Sequence, residues 1–333
     1  MRRPLALGLL AALGAAPWVP MGGMRQYVLH VLIQILIWSL IGTAWSLMGR
    51  FGLVSLGHGA FLGVGAYTTT LLWNFWGLPP WIGCLAAVAF AILLAVAIGY
   101  PCFRFRVVGH YFALATLALG EVIRLLIIAE RSWTGGSLGL TLRPAGPASS
   151  MIALQFTDKR VFYFGALTLW LSGLAVWTRV DRSVARPALE AIGEDETAAA
   201  SVGIPVTRCK LGITVLSAAL TAVGGVVYAQ YISYVNPETL AGIDVSLRIV
   251  FAAVLGGMYS LLGPTVGSAL TITLAELLRV AFGLRLIGMA ETIYGLLLIL
   301  FIIFLPAGIC GGAARALERR RPRPAAATAA RRS

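Results

Sequence analysis

Glu121 and Arg124 stand three residues apart in an apolar stretch of this 333-residue chain, and Glu276 and Arg279 repeat the spacing. Side chains three apart share a helix face with Cβ atoms about 5–6 Å apart, so each carboxylate can neutralise its guanidinium where a lone charge is costly. The strings around them match, Thr116-Leu-Ala-Leu-Gly-Glu-Val-Ile-Arg124 against Thr271-Ile-Thr-Leu-Ala-Glu-Leu-Leu-Arg279, and read as a weak internal repeat. Asp244 and Arg248, four apart, form a third candidate pair. Two roles fit these pairs equally: gating of a path, or pinning of helix depth near an interface. His58 lies between glycines in Ser55-Leu-Gly-His-Gly59, with room to move or to bond. It is expected to be a satisfied packing histidine, with a direct substrate contact as the alternative.

Other chemistry is excluded by residue supply. The chain has two lysines, Lys159 and Lys210, and neither follows a glycine, so no phosphate-cradling loop of the G-x-x-x-x-G-K-[ST] kind exists. Histidines 30, 58 and 110 have no zinc spacing, and the four cysteines are far apart with no C-x-x-C pair. No catalytic constellation is present, and any nucleotide energy must come from another polypeptide.

The elements that hold these residues are long and apolar. Hydrophobic residues make up 59% of the chain and charged ones 12%, roughly half the charge fraction of a soluble domain. The expectation is an all-α integral membrane protein. Apolar windows of spanning length recur at residues 27–48, 53–73, 81–100, 111–129, 161–177, 211–233, 244–262, 265–282 and 286–305. The segment at residues 5–13, after Met1-Arg2-Arg3, is read as a further uncleaved span, a cleaved leader being the alternative. That makes about ten spans, some short or broken at Gly and Pro, in a single domain over residues 1–310. An even count puts both termini on one side. With that side inside, seventeen basic residues fall in inner segments and six in outer ones, so both ends are expected to be cytoplasmic. By the same count the two matching strings run in parallel. The net charge of +13 then follows from this bias and from the basic, low-complexity tail at 311–333, which suits a lipid surface and not nucleic acid.

One interval breaks the apolar pattern. Residues 179–210 carry five basic and five acidic side chains and fall on the cytoplasmic side. Asp195 is suited to cap a helix with Glu196 in its first turn, Ala198-Ala199-Ala200 favour helix, and Gly203 with Pro205 stops it. So short a helix needs a surface to pack on. Leu189 and Ile192 on one side, with Val202 and Ile204 on the other, are the candidates to supply it. The outer loop at residues 130–160, with Trp133-Thr-Gly-Gly-Ser-Leu-Gly-Leu140, is expected to be exposed, either docking a soluble partner or serving as a plain turn.

These patches together resemble the membrane permease subunits of bacterial ABC importers for branched-chain amino acids, of the LivM type. The resemblance runs over about residues 27–312. It rests on Ser55-Leu-Gly-His-Gly-Ala-Phe-Leu-Gly-Val-Gly-Ala-Tyr67, Gly109-His-Tyr-Phe-Ala-Leu-Ala-Thr-Leu-Ala-Leu-Gly-Glu121 with Thr134-Gly-Gly-Ser-Leu-Gly-Leu140, Ala191-Ile-Gly-Glu-Asp-Glu-Thr-Ala-Ala-Ala-Ser-Val-Gly-Ile204, and Leu255-Gly-Gly-Met-Tyr-Ser-Leu-Leu-Gly-Pro264. It implies a type II-like importer permease architecture and alternating access driven by ATP and Mg held on a separate ATPase. No cofactor is implied on this chain. The implied partners are a second homologous permease, two ABC ATPase subunits and a periplasmic solute-binding protein, and the implied place is the inner membrane. Leu189, Glu190, Ile192, Glu194, Asp195, Glu196, Ala198, Ala199 and Gly203 would form the segment that couples to the ATPase. Ser55, His58, Gly59, Glu121, Arg124, Gly256, Gly257, Glu276 and Arg279 are the pathway or gating candidates. The chain departs from the family pattern at Pro205, at Gly193, where relatives often have arginine, and at Tyr259, where they often have glycine. The implied cargo is a branched-chain or other hydrophobic amino acid, with urea, amides and aromatic acids as alternatives inside the family. An ion-coupled secondary transporter is the rival from another class. It would need buried carboxylates without basic neighbours, and Glu291 is the one unpaired candidate.

Overall fold

The computed structural model describes residues 8, 13–19, 22–146, 151–282, 287–304 and 308–312. The expected first span at 5–13 and the tail from 313 onward lie mainly or wholly outside the described residues, as does the side chain of Glu291.

The fold is built from helices: α1 (Arg25–Gly49), α2 (His58–Trp76), α3 (Pro80–Arg104), α4 (His110–Ala129), α5 (Lys159–Arg182), the short α6 (Ala185–Glu194) and α7 (Glu196–Ser201), then α8 (Val206–Ile232), the five-residue α9 (Pro237–Ala241), α10 (Ile243–Gly256), α11 (Gly263–Phe282) and α12 (Ile287–Phe304). Among the described residues, seven stretches are long and apolar enough to cross a membrane: α1, α3, α4, α5, α8, α11 and the Pro237–Gly256 run that joins α9 to α10. The windows at 53–73 and 286–305 correspond to α2 and α12. α2 begins five residues later than its window because residues 53–57 form irregular chain with a bend at Leu56 before the helix starts. α10 stops at Gly256, short of its window, because Gly257 takes a φ of +107° that ends the helix.

Sequence decides which helices are central. α1 is buried on all sides from Ser39 to Gly49, as expected for a helix apolar around its whole circumference. α5, α11 and α8 pack beside it. α3 is different: Gly83, Ala87, Ala91, Ala95 and Gly99 recur every fourth residue and form its buried stripe. Leu85, Phe90, Leu93 and Tyr100 stay exposed on the other side. Small residues at i, i+4 let the α3 backbone approach α8 and α2 closely, and the large apolar side chains are left for lipid.

Two seams are tighter still. A Cβ on Gly65 would lie 2.2 Å from the Ala222 carbonyl oxygen, and one on Gly225 would lie 2.2 Å from that of Leu62, so α2 and α8 touch backbone to backbone. At the α10–α11 seam a Cβ on Gly256 would meet the Gly263 oxygen at 1.8 Å, and one on Gly267 would meet that of Ala252 at the same distance. Tyr259 does not loosen this seam, because its side chain points outward and is 68% exposed.

The loop at residues 130–160 keeps exposed side chains such as Trp133 and Leu138, as expected, but it is also held down at one edge. Residues 140–141 pair antiparallel with Tyr234–Val235, forming strands β1 and β2. The Tyr234 hydroxyl donates to the Leu138 oxygen, Asn236 donates to the Ser137 oxygen, and the Thr134 hydroxyl donates to the Glu130 oxygen. Thr134, Leu142 and Ala153 are buried. The loop is strapped down by a segment about a hundred residues away, a contact that local composition does not encode.

Candidate functional site

The 179–210 interval folds back on the ends of the long helices. α6 is strongly amphipathic and turns Leu189 and Ile192 inward, where they join Met48, Phe51, Phe103, Trp177 and Ile213 in one apolar cluster. α7 starts at Asp195, whose carboxylate accepts from the Thr197 and Ala198 backbone N–H groups at 2.7 and 3.1 Å. Its Ala199 is buried in the same cluster. Gly203, with φ +90°, turns the chain into α8.

Ionic contacts fix the segment at two places. At the first, Asp181 accepts from Arg50 at 3.1 Å and from Arg186 at 3.0 Å, and Arg186 also reaches Glu190 at 2.8 Å. Arg50 stacks over Trp177, 4.0 Å from the ring centroid. At the second, buried Lys210 in the first turns of α8 pairs with Glu196. The Thr197 hydroxyl on Asp195, helped by the Ala198 and Thr197 N–H groups, holds that carboxyl below its usual range. Glu190 likewise raises the Arg186 guanidinium, with Asp181 adding to the effect.

The expected coupling residues therefore divide. Leu189, Ile192 and Ala199 face the chain's own core, and Glu196 is turned inward to Lys210. Glu190, Glu194, Asp195, Ala198 and Gly203 face out. Val202, expected to pack inward with Ile204, is instead 76% exposed, because the Gly203 turn swings it away from the cluster. Gly193 is exposed as well. Arg50, Asp181 and Lys210 were not among the expected residues. The one signal for them was charge directly at the end of an apolar run.

The pathway candidates occupy separate places. Ser55, His58 and Gly59 form a closed knot at the start of α2. His58 is wholly buried, with Nδ1 3.1 Å from the Ser55 hydroxyl and Nε2 2.9 Å from the Ser217 hydroxyl. Ser217 donates its own proton to the Ala44 oxygen, so His58 must donate from Nε2 and accept at Nδ1, a neutral tautomer with both nitrogens satisfied. The Gly59 N–H donates to the Ser246 hydroxyl at 2.9 Å. The room that flanking glycines imply is filled: a Cβ on Gly57 would lie 2.2 Å from the Thr116 oxygen. Through these bonds His58 ties α2 to α8.

Glu121 and Arg124 do pair, and Arg124 also reaches Glu238 on α9, linking two elements. Glu276 pairs with Arg279 at 3.4 Å and accepts from the Tyr27 hydroxyl at 3.0 Å. Asp244 and Arg248 are both exposed and make no ion pair with each other. Gly256 and Gly257 lie in the α10–α11 seam.

Residues 27–305 match the family model described as "Branched-chain amino acid transport system / permease component". The "High-affinity branched-chain amino acid transport system permease protein LivM" of Salmonella typhimurium is 30% identical over 273 residues, 75% of this chain and 63% of that protein. LivM of Escherichia coli is 31% identical over 265 residues, 73% of this chain and 62% of that protein. The LivH permease protein of Escherichia coli is 26% identical over 309 residues, 86% of this chain and 98% of that protein. The matched region spans less than two thirds of the length of the LivM relatives.

Proposed function

Since this chain belongs to the branched-chain amino acid transport system permease family, we propose that it is one membrane-spanning permease subunit of an ATP-driven importer. It works beside a second, homologous permease, two ATPase subunits that bind ATP and Mg, and a periplasmic solute-binding protein. It sits in the inner membrane with both termini cytoplasmic. Its cargo is a branched-chain or other hydrophobic amino acid, moved by alternating access along a mainly apolar path.

The observation that carries this reading is the α6–α7 segment. It is polar, lies outside the spans, and is fastened to their ends through Arg50–Asp181–Arg186 and Lys210–Glu196. Its outward face presents Glu194, Ala198 and Val202. An exposed Val202 beside a turn glycine is an apolar knob suited to a groove on a separate motor, with Leu189, Ile192, Ala199 and Glu196 holding the knob in place from beneath. Docking a soluble ATPase there would bury the knob, and burial of one valine side chain is worth about 1.5 kcal/mol or more.

Coexpression of this chain with the permease, ATPases and binding protein encoded beside it tests the proposal. The Val202→Asp variant should insert normally, lose ATPase co-purification and lose uptake. Full ATPase association and uptake in that variant would overturn the coupling assignment. Uptake by the chain alone in proteoliposomes would overturn the importer reading.

A further inference from the structure

We infer that an open pocket between the end of α3 and the start of α8 is a binding site for the headgroup of an anionic phospholipid. The pocket has a volume of about 330 Å³ and is lined by Phe103, Arg104, Arg106, Pro205, Val206 and Arg208, among others. Glu196 also lines it, but its charge is cancelled by Lys210. Arg104, Arg106 and Arg208 are exposed and make no ion pair among the described residues. Three uncompensated guanidiniums around one concavity suit a phosphate, which each can bind through two parallel N–H donors.

The backbone supports a selected cation at this place. Arg106 has a φ of +55°, the left-handed region that usually falls to glycine at the residue closing a helix. The turn itself is well made, since the Val107 N–H donates to the Cys102 oxygen at 2.7 Å. Glycine would satisfy this turn with less strain, so an arginine here is retained at a backbone cost.

The surroundings distinguish a lipid from a protein ligand. Leu93, Val96, Tyr100 and Arg104 follow one another at three- and four-residue steps, so they lie on one face of α3, and the three apolar members are all exposed. Phe105, Val108 and Tyr111 extend this apolar border at 79%, 45% and 75% exposure. A headgroup seated among the arginines would lay its acyl chains along that stripe. Basic pockets at the ends of spanning helices are recognised sites for anionic headgroups. The inference depends on the chain crossing a membrane; Glu196, Ala200 and Ile204 of the α7 segment share the pocket wall, so the test below reads lipid retention and ATPase association separately.

Native mass spectrometry of the full-length protein, extracted from bilayers of equal parts phosphatidylglycerol and phosphatidylcholine, reads the number of retained lipids. The wild type should hold phosphatidylglycerol in preference to phosphatidylcholine, and free phosphate in the buffer should not displace it. Arg104→Gln with Arg208→Gln should weaken that retention by about fivefold for each arginine removed, the fold-change equivalent to about 1 kcal/mol. Arg106→Gly should weaken it similarly with unchanged or higher thermal stability, whereas Arg179→Gln, an exposed arginine at the end of α5, should leave it unaltered. Equal retention in all variants would overturn the inference, and so would displacement by free phosphate. It also fails if these variants keep their lipid but lose an ATPase subunit, which would place the arginines against an acidic protein face.

Discussion

Lys210 and Glu196 are fourteen residues apart, on two different helices, and their charges meet beneath the surface. Lys210 cannot reach water freely at 5% exposure, so its charge depends on that one carboxylate. Removing one member of a buried pair is worse than removing both, because the survivor is left charged and desolvated. Glu196→Gln is expected to destabilise the detergent-purified protein by roughly 3 kcal/mol, and Glu196→Gln combined with Lys210→Met to recover most of that loss. Thermal unfolding of the four proteins in the mutant cycle checks this. A double variant as unstable as the single one would refute it.

Lysine is expected to replace Arg50 only in part. Its guanidinium bonds Asp181 while stacking on Trp177, a planar geometry that an ammonium cannot reproduce. Arg50→Lys should retain membrane insertion but reduce substrate-stimulated ATP hydrolysis in the assembled complex several-fold, and Arg50→Ala should abolish it. The ratio of stimulated to basal hydrolysis is the readout.

The glycine seams set up a direct contrast. Gly256→Ala forces a methyl onto the Gly263 oxygen and should cost about 1–3 kcal/mol by pushing α10 off α11. Gly165→Ala, on α5 with open space around it, should be neutral or gain up to about 1 kcal/mol from helix propensity. Melting temperatures measured side by side test both signs.

Asp195 gives the α6–α7 segment a pH dependence with a definite sign. Its pKa is held below the ordinary 3.8 by the Thr197 hydroxyl and then by the Ala198 and Thr197 N–H groups. The cap is therefore fully present above about pH 4 and is lost as pH falls through the lowered value. Asp195→Asn keeps an acceptor that does not titrate, so its α7 should show no acid-induced loosening. Amide exchange at Ala198 in the two proteins, compared at the same pH, is the measurement. Parallel behaviour in acid would contradict the assignment.

Legibility in the sequence followed the range of the interaction. The spacing of Glu121 and Arg124 gave their pairing, because residues three apart share a helix face whatever surrounds them. The Asp195 cap and the Gly203 stop were readable for the same local reason. The second partner of Arg124 was not, since Glu238 lies 114 residues away and only packing brings it near. His58 shows the limit from the other side. Its glycine neighbours indicated free space, yet glycines are also what let Thr116 and Ser246 close over it. Val202 was misplaced because one positive φ at Gly203 reverses the direction of the chain, and apolarity alone does not reveal a turn.

The segment from Ala185 to Gly203 stands on two feet. One rests on Arg50 and Asp181, at the ends of α1 and α5, and the other on Lys210, at the base of α8. In the proposed importer, a push on this segment would bear on both feet. It arrives at α1 and α8 together, and α8 meets α2 through glycines that leave no slack for sliding. In that reading the interior is expected to follow the rim, with α2 carried along by α8, because their backbones are already in contact.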